Sequence, residues 1–202
     1  SKGVNKDDFT MVLGYPGSTN RYTSSFELKE KYEILNPVIS GIRRAKLEVW
    51  KKYMDASPAV RLKYADKYFG ISNYTDYAKW ENICIGRYKI ISEIEKREKE
   101  LQAWIAANPE RVAKYGKVIE NLKNGYASKA EITRIKENFR ESMVRGAEFV
   151  AIASRMNSMA SSLKKAGKTK FSMEDKSVAE YVNKFAAKQY EESDIKADRE
   201  LF

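Results

Sequence analysis

With 202 residues, 43% of them hydrophobic and 12% aromatic, the chain has enough apolar material to pack one large domain or two small ones, which excludes a disordered polymer. Its 38 basic and 28 acidic residues leave a formal net charge of +10, which admits a nucleic-acid or acidic-lipid partner and equally describes ordinary solvated helices. The single cysteine, Cys84, excludes an internal disulfide, no apolar run approaches the ~20 residues that span a bilayer, and the start at Ser1 offers neither an initiator Met nor a signal-peptide core.

The first element is strand-like. Phe9, Met11 and Leu13 alternate with Thr10 and Val12, the period of a strand with one buried face, and Gly14-Tyr15-Pro16-Gly17 then breaks the chain. Pro16 suits the second position of a type II turn and Gly17 its third. A strand leaves both edges unpaired unless others flank it, and no second strand-like run follows to pair with this one.

Beyond Tyr22 the period is helical throughout. Asn36-Pro37, Ser57-Pro58 and Asn108-Pro109 each read as an N-cap followed by proline at the first helical position. Helices are expected around Val38 to Met54, Ala59 to Tyr68 and Val178 to Tyr190. A further stripe of Ile83, Ile90, Ile94, Leu101 and Ile105 predicts a long helix ending before Asn108. The longest helix is expected from Ser128 to Ala166, over ~50 Å, on the apolar positions Ile132, Ile135, Phe139, Met143, Val150, Ala153, Met156, Ala160 and Leu163. Ser128 with Glu131 reads as its capping box, Ser172 with Asp175 as a weaker one, and Gly125 and Gly167 as helix ends. The two long helices, joined through the segment from Pro109 to Asn124, predict a mainly α fold, an antiparallel helical bundle preceded by one orphan strand.

Catalytic chemistry is nearly absent from the sequence. With no histidine there is no Ser-His-Asp or Cys-His arrangement and no histidine metal site, and one cysteine makes no thiolate zinc site. No cofactor is expected. Ser161 with Lys164 and Ser162 with Lys165 match S-x-x-K spacing but lack the companion motifs of acyl enzymes. Gly167-Lys168-Thr169 matches the end of a phosphate loop, yet Ser162 stands where the first glycine is required. Two other classes remain in view. A nucleic-acid-binding helical module is suggested by Arg43, Arg44, Lys46, Lys51 and Lys52, against interleaved acids and the lack of a binding motif. A helical scaffold is suggested by the long stripes, against their alanine, glycine and charge interruptions.

Residues 4 to 22, VNKDDFTMVLGYPGSTNRY, carry the most specific signal: a strand, the Gly14-Tyr15-Pro16-Gly17 turn with Asn20 and Arg21 after it, and then a long helical stretch. This resembles the bacterial serine dipeptidyl-peptidases, whose chymotrypsin-like double β-barrel carries a large inserted helical domain. The resemblance implies that residues 1–22 belong to the second barrel, so that the missing partners of Phe9 to Leu13 are barrel strands of a longer parent. Residues 23–202 would be most of the helical domain. It implies a catalytic His and Asp upstream of Ser1 and a nucleophilic Ser downstream of Phe202, leaving no catalytic residue in this chain. The helical domain would cap the cleft and restrict cleavage to dipeptides from a free N-terminus, with peptide as partner and neither nucleic acid nor membrane. A periplasmic or exported location and a homodimeric parent accompany the resemblance. The family uses an asparagine of the helical domain to hold the substrate ammonium. Asn73, in the segment Ile71 to Tyr74, is the first placement for it and Asn82 the second; the alternative is that both are a cap and a surface residue.

Overall fold

The computed structural model describes residues 3–11, 20, 22–165, 167, 172, 174–187 and 191–202, and every regular element among them is helical. Phe9 and Met11 lie in irregular chain, both exposed, and pair with nothing described; Val12 and Leu13, like the turn Gly14-Tyr15-Pro16-Gly17, lie outside the described residues.

Helix α1 (Ser25–Glu30) opens where the Ser24 hydroxyl accepts the Glu27 N–H at 3.2 Å. It passes through a π-helical turn (Lys31–Leu35) into α2 (Asn36–Ala56) without leaving helical backbone. Asn36 is therefore not the expected N-cap. Pro37 lacks an N–H and its ring crowds the carbonyl four residues back, and a π-turn, closed by the Asn36 N–H on the Lys31 carbonyl, makes the room that an α-turn lacks. Ser57 does cap α3 (Pro58–Arg87): its backbone is extended and its hydroxyl accepts the Val60 N–H at 3.4 Å. Trp50 meets Tyr64 and Asn36 meets Asn82, residues placed similarly on either side of Ser57, so α2 and α3 form an antiparallel hairpin.

The expected helix through Ile83 and Ile105 is two helices. Lys89, in left-handed backbone with φ 50°, separates α3 from α4 (Ile90–Ala106). Helix α4 turns back along α1, where Glu98 accepts both the Ser25 N–H and its hydroxyl, and Lys29 meets Glu95 at 2.5 Å. Asn108 caps α5 (Pro109–Tyr115) as expected, accepting the N–H groups of Glu110 and Arg111.

The helix expected from Ser128 to Ala166 is also two. Helix α6 (Val118–Phe139) starts well before Ser128, whose hydroxyl donates to the Gly125 carbonyl inside the helix, so neither Ser128 nor Gly125 marks an end. A second π-turn (Arg140–Val144) follows, the chain bends at residues 145–147, and α7 (Glu148–Lys165) begins anew. The bend needs a glycine: a Cβ on Gly146 would collide with the Ser142 carbonyl oxygen. Gly167, with φ +76°, does end α7, its N–H on the Lys164 carbonyl. Helices α8 (Lys176–Ala187) and α9 (Glu192–Leu201) complete the described chain; Ser172 accepts the Glu174 N–H just before α8.

Helix α6 runs parallel to α1 and α2 instead of pairing with α4, as its contacts show: Glu30 with Lys129 and Thr133, then Arg43 with Glu141. The innermost apolar cluster is Trp50, Met54, Tyr64 and Ala197, flanked by Val49, Tyr53, Val60, Tyr68, Ile71 and Leu201. The α2–α3 hairpin and α9 thus build the core, whereas Ile132 and Ile135 of the expected stripe are 67% and 61% exposed. Accordingly Trp50→Ala should destabilise the chain by roughly 3–5 kcal/mol through transfer and cavity terms, and Ile135→Ala by less than about 0.5 kcal/mol, measured by urea denaturation followed by circular dichroism.

Candidate functional site

Two surfaces carry most of the unusual chemistry. The first is the outer face of α3. Leu62, Phe69, Asn73, Tyr77 and Trp80 recur at three- and four-residue spacing and share one side of the helix, and all four apolar members are more than half exposed. Asn73 stands mid-face, exposed, with no side-chain hydrogen bond to another described residue. Asn82 is placed differently. Its amide donates to the Tyr32 carbonyl at 2.8 Å and its oxygen accepts from buried Asn36 at 2.9 Å, so it ties α3 to the first π-turn. Asn36 also donates to Glu81, which accepts from Lys31 at 2.6 Å and Tyr77 at 3.1 Å. The structure brings Asn73 and Asn82 onto one helix but not into one site.

The second surface is a cleft of about 450 Å³ between α2, α3 and the α6–α7 bend, bordered by Arg43, Lys46, Gly70, Tyr74, Glu141 and Arg145. Glu141 is almost wholly buried and accepts two bonds from Arg43, at 2.6 and 2.9 Å, and one from Arg145 at 3.0 Å. Burial alone would raise its carboxyl, but these guanidiniums hold it below the usual carboxylate range. Lys46, also buried, donates to the Arg145 and Gly146 carbonyls at 2.6 and 2.5 Å, with its ammonium 4.5 Å from the Trp50 ring centre. It thereby satisfies carbonyls left over where α6 ends. On the far side of the bend, buried Asp198 of α9 accepts the Glu148 and Phe149 N–H groups at 2.8 and 2.9 Å, capping α7 from outside its own sequence. Asp194, one turn earlier, pairs with Lys63 and Lys67. Burial pushes its carboxyl up, yet the Glu191 N–H, Lys63, Tyr64 and Lys67 hold it low.

The basic cluster read from the sequence is largely committed within the fold. Arg43 and Lys46 are engaged as above, Lys51 pairs with Asp55 at 2.6 Å and Lys52 with Glu200 at 2.7 Å, while Arg44 stays exposed. Sequence reading named Arg43 and Lys46 as members of a basic cluster, and missed Glu141, Asp194 and Asp198, whose helical spacing gives no hint that they are buried. Ser161 and Ser162 sit on exposed α7, and the Ser162 hydroxyl donates to the Ser158 carbonyl at 3.0 Å. Among the turn residues, Gly14, Tyr15, Pro16, Gly17 and Arg21 lie outside the described residues, and Asn20 is exposed. No group of three potential metal ligands occurs among the described residues, and no described helix is long and apolar enough to cross a membrane.

Lys46 sets a measurable pH dependence. Burial lowers its ammonium to about 8 from 10.5, against the opposing pull of Glu148, Asp198 and Glu141. Between those values the unfolded chain binds more protons than the folded one, so stability rises with pH through that window. Tyr64, whose hydroxyl is raised by burial and by Asp194, acts oppositely once an unfolded tyrosine ionises near pH 10. Lys46 should therefore add roughly 2 kcal/mol to the unfolding free energy between pH 8 and 10, read as the difference between wild type and Lys46→Met in urea titrations at each pH.

Comparison with known proteins places the chain in a family. The family model described as Peptidase S46 matches residues 1–202. The chain is 33% identical over 157 residues to dipeptidyl-peptidase 7 of Porphyromonas endodontalis, covering 78% of this chain and 19% of that protein. It is 36% identical over 152 residues to dipeptidyl-peptidase 7 of Phocaeicola vulgatus, covering 73% and 20% respectively. To the Asp/Glu-specific dipeptidyl-peptidase of Flavobacterium psychrophilum it is 30% identical over 156 residues, covering 76% and 22%. The chain thus spans about a fifth of the length of these relatives. It belongs to the peptidase S46 family.

Proposed function

We propose that this chain is the helical cap of a serine-type dipeptidyl-peptidase, the domain that closes over the cleft and limits cleavage to dipeptides from a free N-terminus. Residues 1–22 are, on this reading, the end of a strand and a turn of the second β-barrel, and the catalytic His, Asp and Ser come from flanking polypeptide. The location is periplasmic or exported. The relatives supply the reaction class through their names as dipeptidyl-peptidases.

The outer face of α3 carries the reading. A helix with apolar side chains on two faces needs cover on both, and the described chain covers only the side toward α2, α9 and the first π-turn. Substrate and barrel are the cover that fits, with Asn73 as the amide that accepts a hydrogen bond from the substrate ammonium. Asn82 is a weaker choice because both ends of its amide are already committed.

In the full-length peptidase, Asn73→Ala should lower kcat/KM by about ten- to a hundredfold through loss of a charge-assisted hydrogen bond worth roughly 1.5–3 kcal/mol. The loss should be confined to substrates with a free N-terminus; an N-blocked peptide should be cleaved equally poorly by mutant and wild type. Asn82→Ala should instead lower the melting temperature with kcat/KM within about twofold, because it removes the Asn82 donor from the Tyr32 carbonyl and one of the two acceptors of the Asn36 amide. The opposite pattern would move the ammonium contact to Asn82.

The 202-residue chain itself should be inert. Having no histidine, it should release no dipeptide from fluorogenic dipeptide substrates and take no label from a serine-directed phosphonate. Labelling of Ser161 or Ser162 would contradict the assignment and restore a serine–lysine mechanism.

A further inference from the structure

We propose that the cleft at the α6–α7 bend binds a small carboxylate with an apolar body. Its volume of about 450 Å³ lies in the range of small-molecule sites. Ile42, Ala45, Ile71 and Leu201 supply apolar wall, and the charged lining is three cations, Arg43, Lys46 and Arg145, against the single carboxylate of Glu141. A bound anion therefore reduces an existing imbalance instead of creating one.

The donors are in place. Arg43 commits Nε and one terminal nitrogen to Glu141, which fixes its plane, and leaves its other terminal nitrogen unengaged by the described residues. Arg145 commits one nitrogen to Glu141 and is half-exposed, so the rest of its guanidinium is available to a ligand. Glu141, only 2% exposed, holds both arginines at the cleft without itself facing solvent.

Gly70 points the same way. Glycine inside a helix costs about 0.5–1 kcal/mol relative to alanine. Gly70 is mid-helix in α3, and a Cβ there would meet nothing within 4 Å, so no packing demand of the described chain explains it. What its missing side chain does is keep the cleft wall open.

The test is an NMR titration of the 202-residue chain with N-acetyl-leucine, following the Gly70 and Gly146 amide signals. Both should shift saturably with roughly millimolar affinity, as suits so small a ligand. N-acetyl-leucinamide, lacking the charge, and acetate, lacking the apolar body, should each bind at least about tenfold more weakly. Arg145→Met should weaken N-acetyl-leucine binding about tenfold. Gly70→Leu, which fills open space, should abolish the Gly146 shift without lowering the melting temperature. Absence of any saturable shift at tens of millimolar, equal binding of the amide or of acetate, or unchanged binding by Gly70→Leu would each overturn the proposal. None of these readouts depends on peptidase activity, so the result stands apart from the assignment of the cap.

Discussion

Four nearly inaccessible charges, Lys46, Glu141, Asp194 and Asp198, lie where α9 and the α6–α7 bend dock onto the α2–α3 hairpin. A buried charge without a partner costs several kcal/mol, so each of these must be paired in the same structure. Their partners are far away in sequence: Lys46 of α2 holds carbonyls of the bend, Lys63 and Lys67 of α3 hold Asp194 of α9, and Asp198 of α9 caps α7. Apart from the local contact of Glu141 with Arg145, these pairs form only once the separate helices dock. The net gain from each pair is small, but the penalty for a wrong arrangement is large, so the charges select this packing over others more than they add to its stability.

Trp50 is the apolar centre of that junction. Its ring packs at 5.7 Å from Tyr64 and within cation–π range of both Lys46 and Lys67. Lys67 also lies 3.9 Å from the Tyr64 ring centre. Aromatic faces thus share with carbonyls and carboxylates the task of replacing water around buried ammonium groups. Helix α3 consequently has two characters along its length. Tyr64, Thr75, Ala78 and Ile85 face inward and are buried, while Leu62, Phe69, Tyr77 and Trp80 face outward.

What the sequence made legible was local. Ser57-Pro58 and Asn108-Pro109 work as caps because the cap and its target N–H lie within three residues of each other. The turn motif near the N-terminus pointed to the family without any fold. What stayed hidden depends on residues distant in the chain. The bend at residues 145–147 is closed by Lys46 and Asp198, and without them in view the stripe from Ile132 to Leu163 reads as one helix. Asn36-Pro37 looks like a cap until the π-turn before it lets the helix continue and frees Asn36 to bind Glu81 and Asn82. Ile132 and Ile135 follow core spacing yet face solvent, since helical period identifies a shared face and not what covers it. Of the candidate asparagines, the resemblance put Asn73 first and Asn82 second, and nothing in the sequence hinted that Asn82 is tied to Tyr32 and Asn36.

The bend also bears on how this part of the fold can move. A break between two helices is the usual place to seek a hinge, because exposed backbone groups there can rotate at little cost. Here the groups on both sides are already bonded to buried charges. Opening the bend would release the Arg145 and Gly146 carbonyls from Lys46 and the Glu148 and Phe149 N–H groups from Asp198, so that four backbone groups lose their partners together. That cost exceeds what a small ligand's differential affinity supplies. Both sides of the bend are thus held to the α2–α3 hairpin and to α9, and flexing at the bend has to break those bonds first.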